Sequence, residues 1–452
     1  MNFLQTSSPP SFRRGHFAPV SGERTAENLK VRGSIPKELN GLFVRNNHNP
    51  REDEHPANYF LGTGMLHGVR LREGRAEWYR NRWVDTALLR GKPRYRANGS
   101  VDLEVSTAGT HIVPLGGKLL ALWEGGYPYE VTRELDTVGV FNFDGRLTTP
   151  MCAHPHRDPR TGQLHFFGCG FDERLLTYYI ASPSGQLVHE QSIPIERPSF
   201  IHDFFVTPNY VVWHEPPVAF DAQSQSHFPF EWDQAYRSRF GLLKRNGGGL
   251  TWFACDPSLI VHFANAYEDS RGRVIVEAPN FQLDDYRTLQ TWAVGGMRDG
   301  NSIEGVPLTR WIIDPAAGTV SQSTLDDGLV EFPQINEAVA GELHRYIYAT
   351  GYLHRGGNGA IIKYDTQTGK RSVFAEGSGR MPSEAIFVAA RDAKTEDDGW
   401  LLTHVSDLES NSSEFLILDA TDLEAPPVAA VELPWRIPIS IHGSWIPDPA
   451  SA

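Results

Sequence analysis

The sequence predicts an all-β chain folded as a β-propeller with long loops capping one face. Three observations carry that prediction. Helical windows are scarce, because 31 prolines and 42 glycines are spread so evenly that few stretches could hold three helical turns without a breaker. Short runs rich in β-formers recur instead, four to seven residues long and bounded by turn residues. Between them one turn device returns, an Asp or Ser that can cap the turn through its side chain and a Gly that closes it in the left-handed conformation.

In chain order, residues 1–28 read as a partly loose leader, with Pro9-Pro10 and Arg13-Arg14 but no apolar run of signal-peptide length. Residues 29–452 read as a single propeller. Its clearest strands are 117–123, 163–168, 210–214, 273–277, 345–349, 360–364 and 415–419. The turn device falls at Asp144-Gly145, Asp158–Gly162, Ser182–Gly185, Asp314–Gly318 and Asp365–Gly369. Even hairpin spacing over such a length fits a propeller better than a sandwich. Seven blades would take roughly 60 residues each, more than the roughly 40–50 of compact propeller repeats. The excess is expected in long loops, and two stretches without strand alternation, near 216–250 and 279–306, are read as insertions.

Composition narrows the function. Lys and Arg number 42 against 55 Asp and Glu, so the formal charge is 42 − 55 = −13, the wrong sign for a nucleic-acid partner. The longest apolar runs, such as Leu119–Trp123, fall far short of the roughly twenty residues that span a bilayer. A cytoplasmic protein is expected. Three cysteines without close pairing exclude a disulfide framework and a cysteine-based zinc site, so any metal must rely on histidine and carboxylates.

Seventeen histidines are present, and four stand in comparable settings: His154, His202, His262 and His442. Three of them directly follow an aliphatic residue, as at a strand end beside a pocket. Their separations of 48, 60 and 180 residues approximate one, one and three blade lengths. In a propeller the innermost strands crowd the axis, so such residues can converge there. Each alone could equally be a core histidine bonded to a carbonyl, as His67, His111, His165 and His214 illustrate.

At these residues the chain resembles the carotenoid cleavage oxygenases, seven-bladed propellers with an axial Fe(II) held by four histidines. The resemblance covers nearly the whole chain. Val31–Asn46 is similar to the family's entry segment, and Phe60-Leu-Gly-Thr-Gly-Met65 to its aromatic and Gly-x-Gly-Met signature, with Thr63 where Asp is usual. The family's Asn-Gly-Pro-Asn-Pro run is here Asn46-Asn47-His48-Asn49-Pro50. These departures lie away from the four histidines in sequence and bear on loop geometry rather than chemistry.

The resemblance implies His154, His202, His262 and His442 as iron ligands. It implies Glu124, Glu331 and Glu384 as acceptors for the far ring N–H of ligand histidines, which fixes the tautomer and raises basicity. Thr110 would stand beside the open side of the metal and limit how O2 sits. Trp123, Phe60 and Phe200 would form an apolar substrate wall. The implied reaction inserts both atoms of O2 across a conjugated C=C of an apocarotenoid or carotenoid, giving two carbonyl products. No reductant cofactor is expected, and Gly247–Gly249 lacks the strand–helix context of a dinucleotide site.

The alternative is a stilbenoid or phenylpropanoid alkene cleaved at the same iron. The stilbene-cleaving branch characteristically has a lysine at the position of Trp123. An indole offers an apolar face and no cation for a phenolate, although Tyr127, Tyr129 or His111 could still bond a phenol. An isomerohydrolase acting on lipid esters and a non-catalytic docking propeller are the remaining readings, and neither is favoured. Expected partners are O2 and a lipophilic conjugated alkene. The 216–250 segment mixes Phe228, Phe230, Trp232, Tyr236, Phe240, Leu242 and Leu243 with Arg237, Arg239, Lys244 and Arg245. It is read either as an interfacial segment that touches a membrane peripherally or as a loop packed on the propeller. The sequence leaves the oligomeric state open.

Overall fold

The computed structural model describes residues 9–297, 305–352, 358–439 and 441–449. Residues 1–8 of the expected leader and 298–304 of the second expected insertion lie outside the described residues.

The fold is a seven-bladed propeller of antiparallel strands. Blade 1 joins the two ends of the chain. Its innermost strand is His442–Pro447, which pairs with Gly41–His48 so that His442 lies opposite Asn46, followed by Gly64–Arg72, Arg75–Trp83 and Arg24–Glu27. Blades 2, 3 and 4 begin at the axis with His111–Leu115, His156–Arg157 and Phe204–Val206. Blades 5 and 6 form one continuous sheet, because the strand Thr319–Gln334 pairs along most of its length with Val306–Asp314 and at its end with Tyr346–Tyr352. Its end is thereby the inner strand of blade 6, while Asn265–Glu268 is that of blade 5. In blade 7 the chain nearest the axis is Arg380–Pro382 and Ile386–Ala389, and Val31–Gly33 is its outermost strand.

Local chemistry accounts for the hairpins. Gly145, Gly162, Gly185, Gly318 and Gly369, the five turn glycines, all have positive φ. Asp314 accepts from the N–H groups of Ala316 and Ala317, and Asp365 from those of Gln367 and Thr368. Between blades both faces of each sheet are buried. Phe167, Tyr178, Phe204 and Trp213 fill the space between blades 3 and 4, and Phe43, Val69, Phe415 and Ile417 that between blades 7 and 1. Each such side chain contributes about 1.5–3 kcal/mol on leaving water.

Two boundaries differ from expectation. Within residues 9–28, Arg24–Glu27 is an edge strand paired with Arg75–Trp83, and Phe12 is buried beside Tyr59. That part of the expected leader is built into the fold. The stretch 216–250 is not all insertion either. Val218–Phe220 and Phe230–Trp232 form a separate hairpin, but Arg239–Lys244 is the third strand of blade 4, between Tyr210–Glu215 and Leu250–Ala254. Phe240, Leu242 and Leu243 are therefore blade core, and Phe228 and Phe230 are buried in the cap. These aromatic side chains point inward, against the interfacial-segment reading. The other insertion carries the helix Leu283–Ala293, the one α-helix among the described residues. It buries Tyr286, Leu289, Trp292 and Ala293 on one face against the hairpin aromatics. Among the described residues, no helix is long and apolar enough to cross a membrane.

Candidate metal centre

The propeller brings the start of every inner strand to the axis, and the chemistry-bearing residues sit at those starts. His154, His202 and His262 lie two or three residues before the inner strands of blades 3, 4 and 5, and His442 opens that of blade 1. Their rings converge, with centroid separations of 4.6 Å for His154–His202, 4.9 Å for His154–His262, 4.5 Å for His154–His442 and 4.8 Å for His262–His442. Nitrogens of His154, His202 and His262 all lie within 4.8 Å of one another, a grouping able to hold a metal ion.

The carboxylates stand behind the rings. His262 Nδ1 lies 2.5 Å from Glu331 Oε2, His202 Nδ1 lies 2.6 Å from Glu124 Oε2, and His442 Nδ1 lies 3.1 Å from Glu384 Oε1. A carboxylate can only accept, so Glu331 and Glu384 hold the proton on Nδ1 of His262 and His442 and leave each Nε2 lone pair facing the axis, while Nδ1 of His202 approaches Glu124 without hydrogen-bond geometry. The structure supports that orientation: Nε2 of His262 and of His442 are buried without a hydrogen-bond partner, and Nε2 of His154 lies 3.0 Å from Nε2 of His202. Burial, with the neighbouring imidazoles adding to it, holds His154 and His442 well below the ordinary histidine range, so both rings are neutral. Burial would lower His262 as well, but the adjacent Glu331 outweighs it and raises this pKa. Converging, desolvated imidazole lone pairs backed by carboxylates are a donor set suited to a first-row divalent metal.

The three glutamates differ in setting. Glu384 is fully buried and also takes hydrogen bonds from Gln334 (2.8 Å) and the Gly443 N–H (2.9 Å), with Arg45 Nη1 3.7 Å away. Glu331 ends a regular stretch of strand: register is lost between Glu331 and Gln334, and Phe332 is held at φ 53°. A non-glycine residue in that region is strained, and such strain collects at functional sites. Phe332 uses it to stack on His262 at 5.3 Å. Glu124 faces the cavity.

Sequence reasoning missed several supports. Asp203, next to His202, accepts from His156 Nε2 (2.9 Å) and from the N–H of Phe263 (2.8 Å), so it ties blades 3, 4 and 5 together beneath the histidines. His156 thus turns from the axis although it lies two residues from His154. His111 packs 5.3 Å from His442 and donates Nδ1–H to the Ala153 carbonyl at 2.9 Å. His48 stands far from the four histidines in sequence. It lies instead against Thr110, its Nε2 3.5 Å from Thr110 Oγ1, with its Nδ1–H on the Gly62 carbonyl at 2.9 Å. Only the departure from the family's loop pattern signalled it.

A cavity of about 840 Å³ opens onto the histidines. Its wall includes Thr110, Glu124, His202, His262 and Glu331 at the axial end, and Phe60, Trp123, Phe200, Phe228, Phe230 and Trp292 elsewhere. Phe200 stacks on His202, and Phe60 meets Phe228 and Trp292 edge to face or tilted. The wall is not free of cations, as Trp123 alone suggested, since the Arg94 guanidinium lies 4.5 Å over the indole. Tyr129 is turned away, its hydroxyl donating to the Glu104 carbonyl.

Residues 17–447 match the family model described as retinal pigment epithelial membrane protein. The carotenoid cleavage oxygenase of Mycobacterium tuberculosis is 34% identical, over 96% of this chain and 97% of that one. Resveratrol cleavage oxygenase 1 of Aspergillus fumigatus is 30% identical, over 99% of this chain and 97% of that one. Among solved structures, cobalt-substituted Synechocystis ACO superposes with a TM-score of 0.83 at 27% identity, covering 95% of this chain and 97% of its own. Matched in sequence and fold along nearly its whole length, this chain belongs to the carotenoid cleavage oxygenase family and is an oxygenase enzyme.

Proposed function

We propose that the protein cleaves a conjugated C=C bond of an apocarotenoid or carotenoid with O2, giving two carbonyl products, at Fe(II) held by His154, His202, His262 and His442. The observation that carries this reading is the joining of two features: four converging imidazoles, three of them backed by glutamates, and an aromatic cavity that ends on them. Iron bound by neutral imidazoles would keep its full charge and would activate O2 toward an electron-rich alkene.

The chain's own residues supply the rest. Glu331 and Glu384 hold the Nδ1 protons of His262 and His442, and the Glu124 carboxylate stands 2.6 Å from Nδ1 of His202, so three of the rings are braced from behind. Phe60, Trp123 and Phe200 exclude water and line an apolar wall for a rod-shaped polyene. Thr110, buried at the axial end, restricts the space left for a small molecule beside the alkene. A polyene supplies the electrons for its own cleavage, so no nicotinamide or flavin is required.

A stilbenoid substrate is the second reading, favoured by the likeness to a resveratrol-cleaving relative. One experiment separates them: aerobic incubation of the Fe(II)-loaded protein with apocarotenals, carotenoids and hydroxystilbenes, with products read by mass. The expected result is a pair of carbonyl fragments from an apocarotenal. A preference of tenfold or more in kcat/KM for a stilbene, about 1.4 kcal/mol in transition-state binding, overturns the carotenoid reading in favour of the second. No carbonyl product from any of them overturns both.

A further inference from the structure

Arg94 is the odd group in the cavity wall. Its neighbours in sequence, Lys92 and Arg96, both ion-pair with Asp102. Arg94 is half-buried and has no carboxylate within ion-pairing reach among the described residues. Its guanidinium lies over the Trp123 ring at 4.5 Å and donates to the Gly125 carbonyl at 3.1 Å, with the Val105 carbonyl at 3.5 Å. A guanidinium carries five N–H donors, so even with the Tyr95 hydroxyl as a further partner these contacts leave capacity unused. Gly125 makes the stack possible, because a Cβ there would fall 2.4 Å from the indole. The acids of the same wall are already engaged or in solvent: Glu124 and Glu331 serve histidines, and Asp172 and Glu173 are exposed.

We propose that Arg94 is a specificity residue that receives a negatively charged or strongly accepting oxygen at one end of the substrate. The substrate class is then a conjugated chain ending in a carboxylate, as in an apocarotenoic acid, rather than a bare hydrocarbon. The physical argument has two sides. A planar fork pairs bidentately with a carboxylate, and partial burial strengthens that pair. A hydrocarbon end would strip water from the free donors and return no acceptor, which penalises it. The inference takes from the proposed function only that this cavity holds the substrate.

The test is binding to metal-free protein, read by quenching of tryptophan fluorescence, so that it does not depend on turnover. The probes are all-trans-retinoic acid against all-trans-retinal, and 4-hydroxystilbene against stilbene. Wild type is expected to bind the acid about tenfold tighter than the aldehyde. Arg94→Met should collapse that ratio toward one, and Arg94→Lys should keep part of it. An Arg94-dependent preference for the hydroxystilbene alone would support the same role with a phenol as the oxygen source. Wild type without a preference in either pair, or Arg94→Met with the preference intact, overturns the proposal. The wild-type comparison decides even if a variant folds poorly. Arg94-dependent binding without any oxidative product would instead sink the proposed reaction and leave this inference standing.

Discussion

Histidines at the axis and histidines inside the blades make an instructive pair. His67, His165 and His214 are as buried as His154, His262 and His442. Each blade histidine meets a single neutral hydroxyl: His67 that of Tyr79 at 3.0 Å, His165 that of Tyr178 at 2.5 Å, His214 that of Ser258 at 3.1 Å. They are far apart, and each closes a local hydrogen bond. The axial rings instead aim at one another and have carboxylates behind three of them. Burial therefore does not mark a ligand. What sets the axial rings apart is their convergence on one another.

The largest expected effect would break the comparison outright. Alanine in place of His154, His202, His262 or His442 should abolish both turnover and iron retention, measured as metal per chain after desalting. His156→Ala should keep its iron, because His156 is turned to Asp203. If His156→Ala loses iron while His154→Ala keeps it, the axial set is misassigned.

Next come the carboxylates. Gln in place of Glu384 or Glu331 should lower iron affinity or activity by about 10–100-fold. Glu384→Gln should also lower the melting temperature, since the buried Arg45 loses its nearby charge, whereas Glu124→Gln at the cavity wall should leave melting nearly unchanged. Equal melting for these two variants would remove the distinction between a braced and an open side.

On the blade side, His214→Ala should destabilise by about 1–3 kcal/mol, through the lost packing and the lost hydrogen bond to Ser258, while iron stoichiometry stays at wild type. Denaturant unfolding with metal analysis checks it. Loss of iron there would merge the two classes.

The smallest effect is one of pH. Burial lowers the pKa of His67, His165 and His214 to about 3. Their unfolded values lie near 6.5, so between there and the folded value the unfolded chain binds more protons. Stability is thus full above about pH 6.5 and falls as pH drops, by up to about 1.4 kcal/mol per unit for each group. The melting temperature of metal-free protein should decline from pH 7 to 5, and less steeply in a His165→Gln variant. A flat profile would show that these rings titrate alike in the folded and unfolded chain.

Much of this was written locally. The turn glycines, the strand runs and the four histidines could be read from the chain because turn chemistry and β-patterning act over a few residues, and because an inner strand returns at similar phase in each blade. What the chain alone did not reveal depends on partners distant in sequence. Arg239–Lys244 looked like insertion because the hairpin between 218 and 232 parts it from the strand it pairs with. Thr319–Gln334 gives no sign that it changes sheets midway, nor Phe332 that its backbone is strained. Asp203 became a brace, His48 a neighbour of Thr110 and Arg94 the cation over Trp123 only when blades closed around one axis. A residue's type sets which bonds it can make, and ring closure of the propeller chooses its partners.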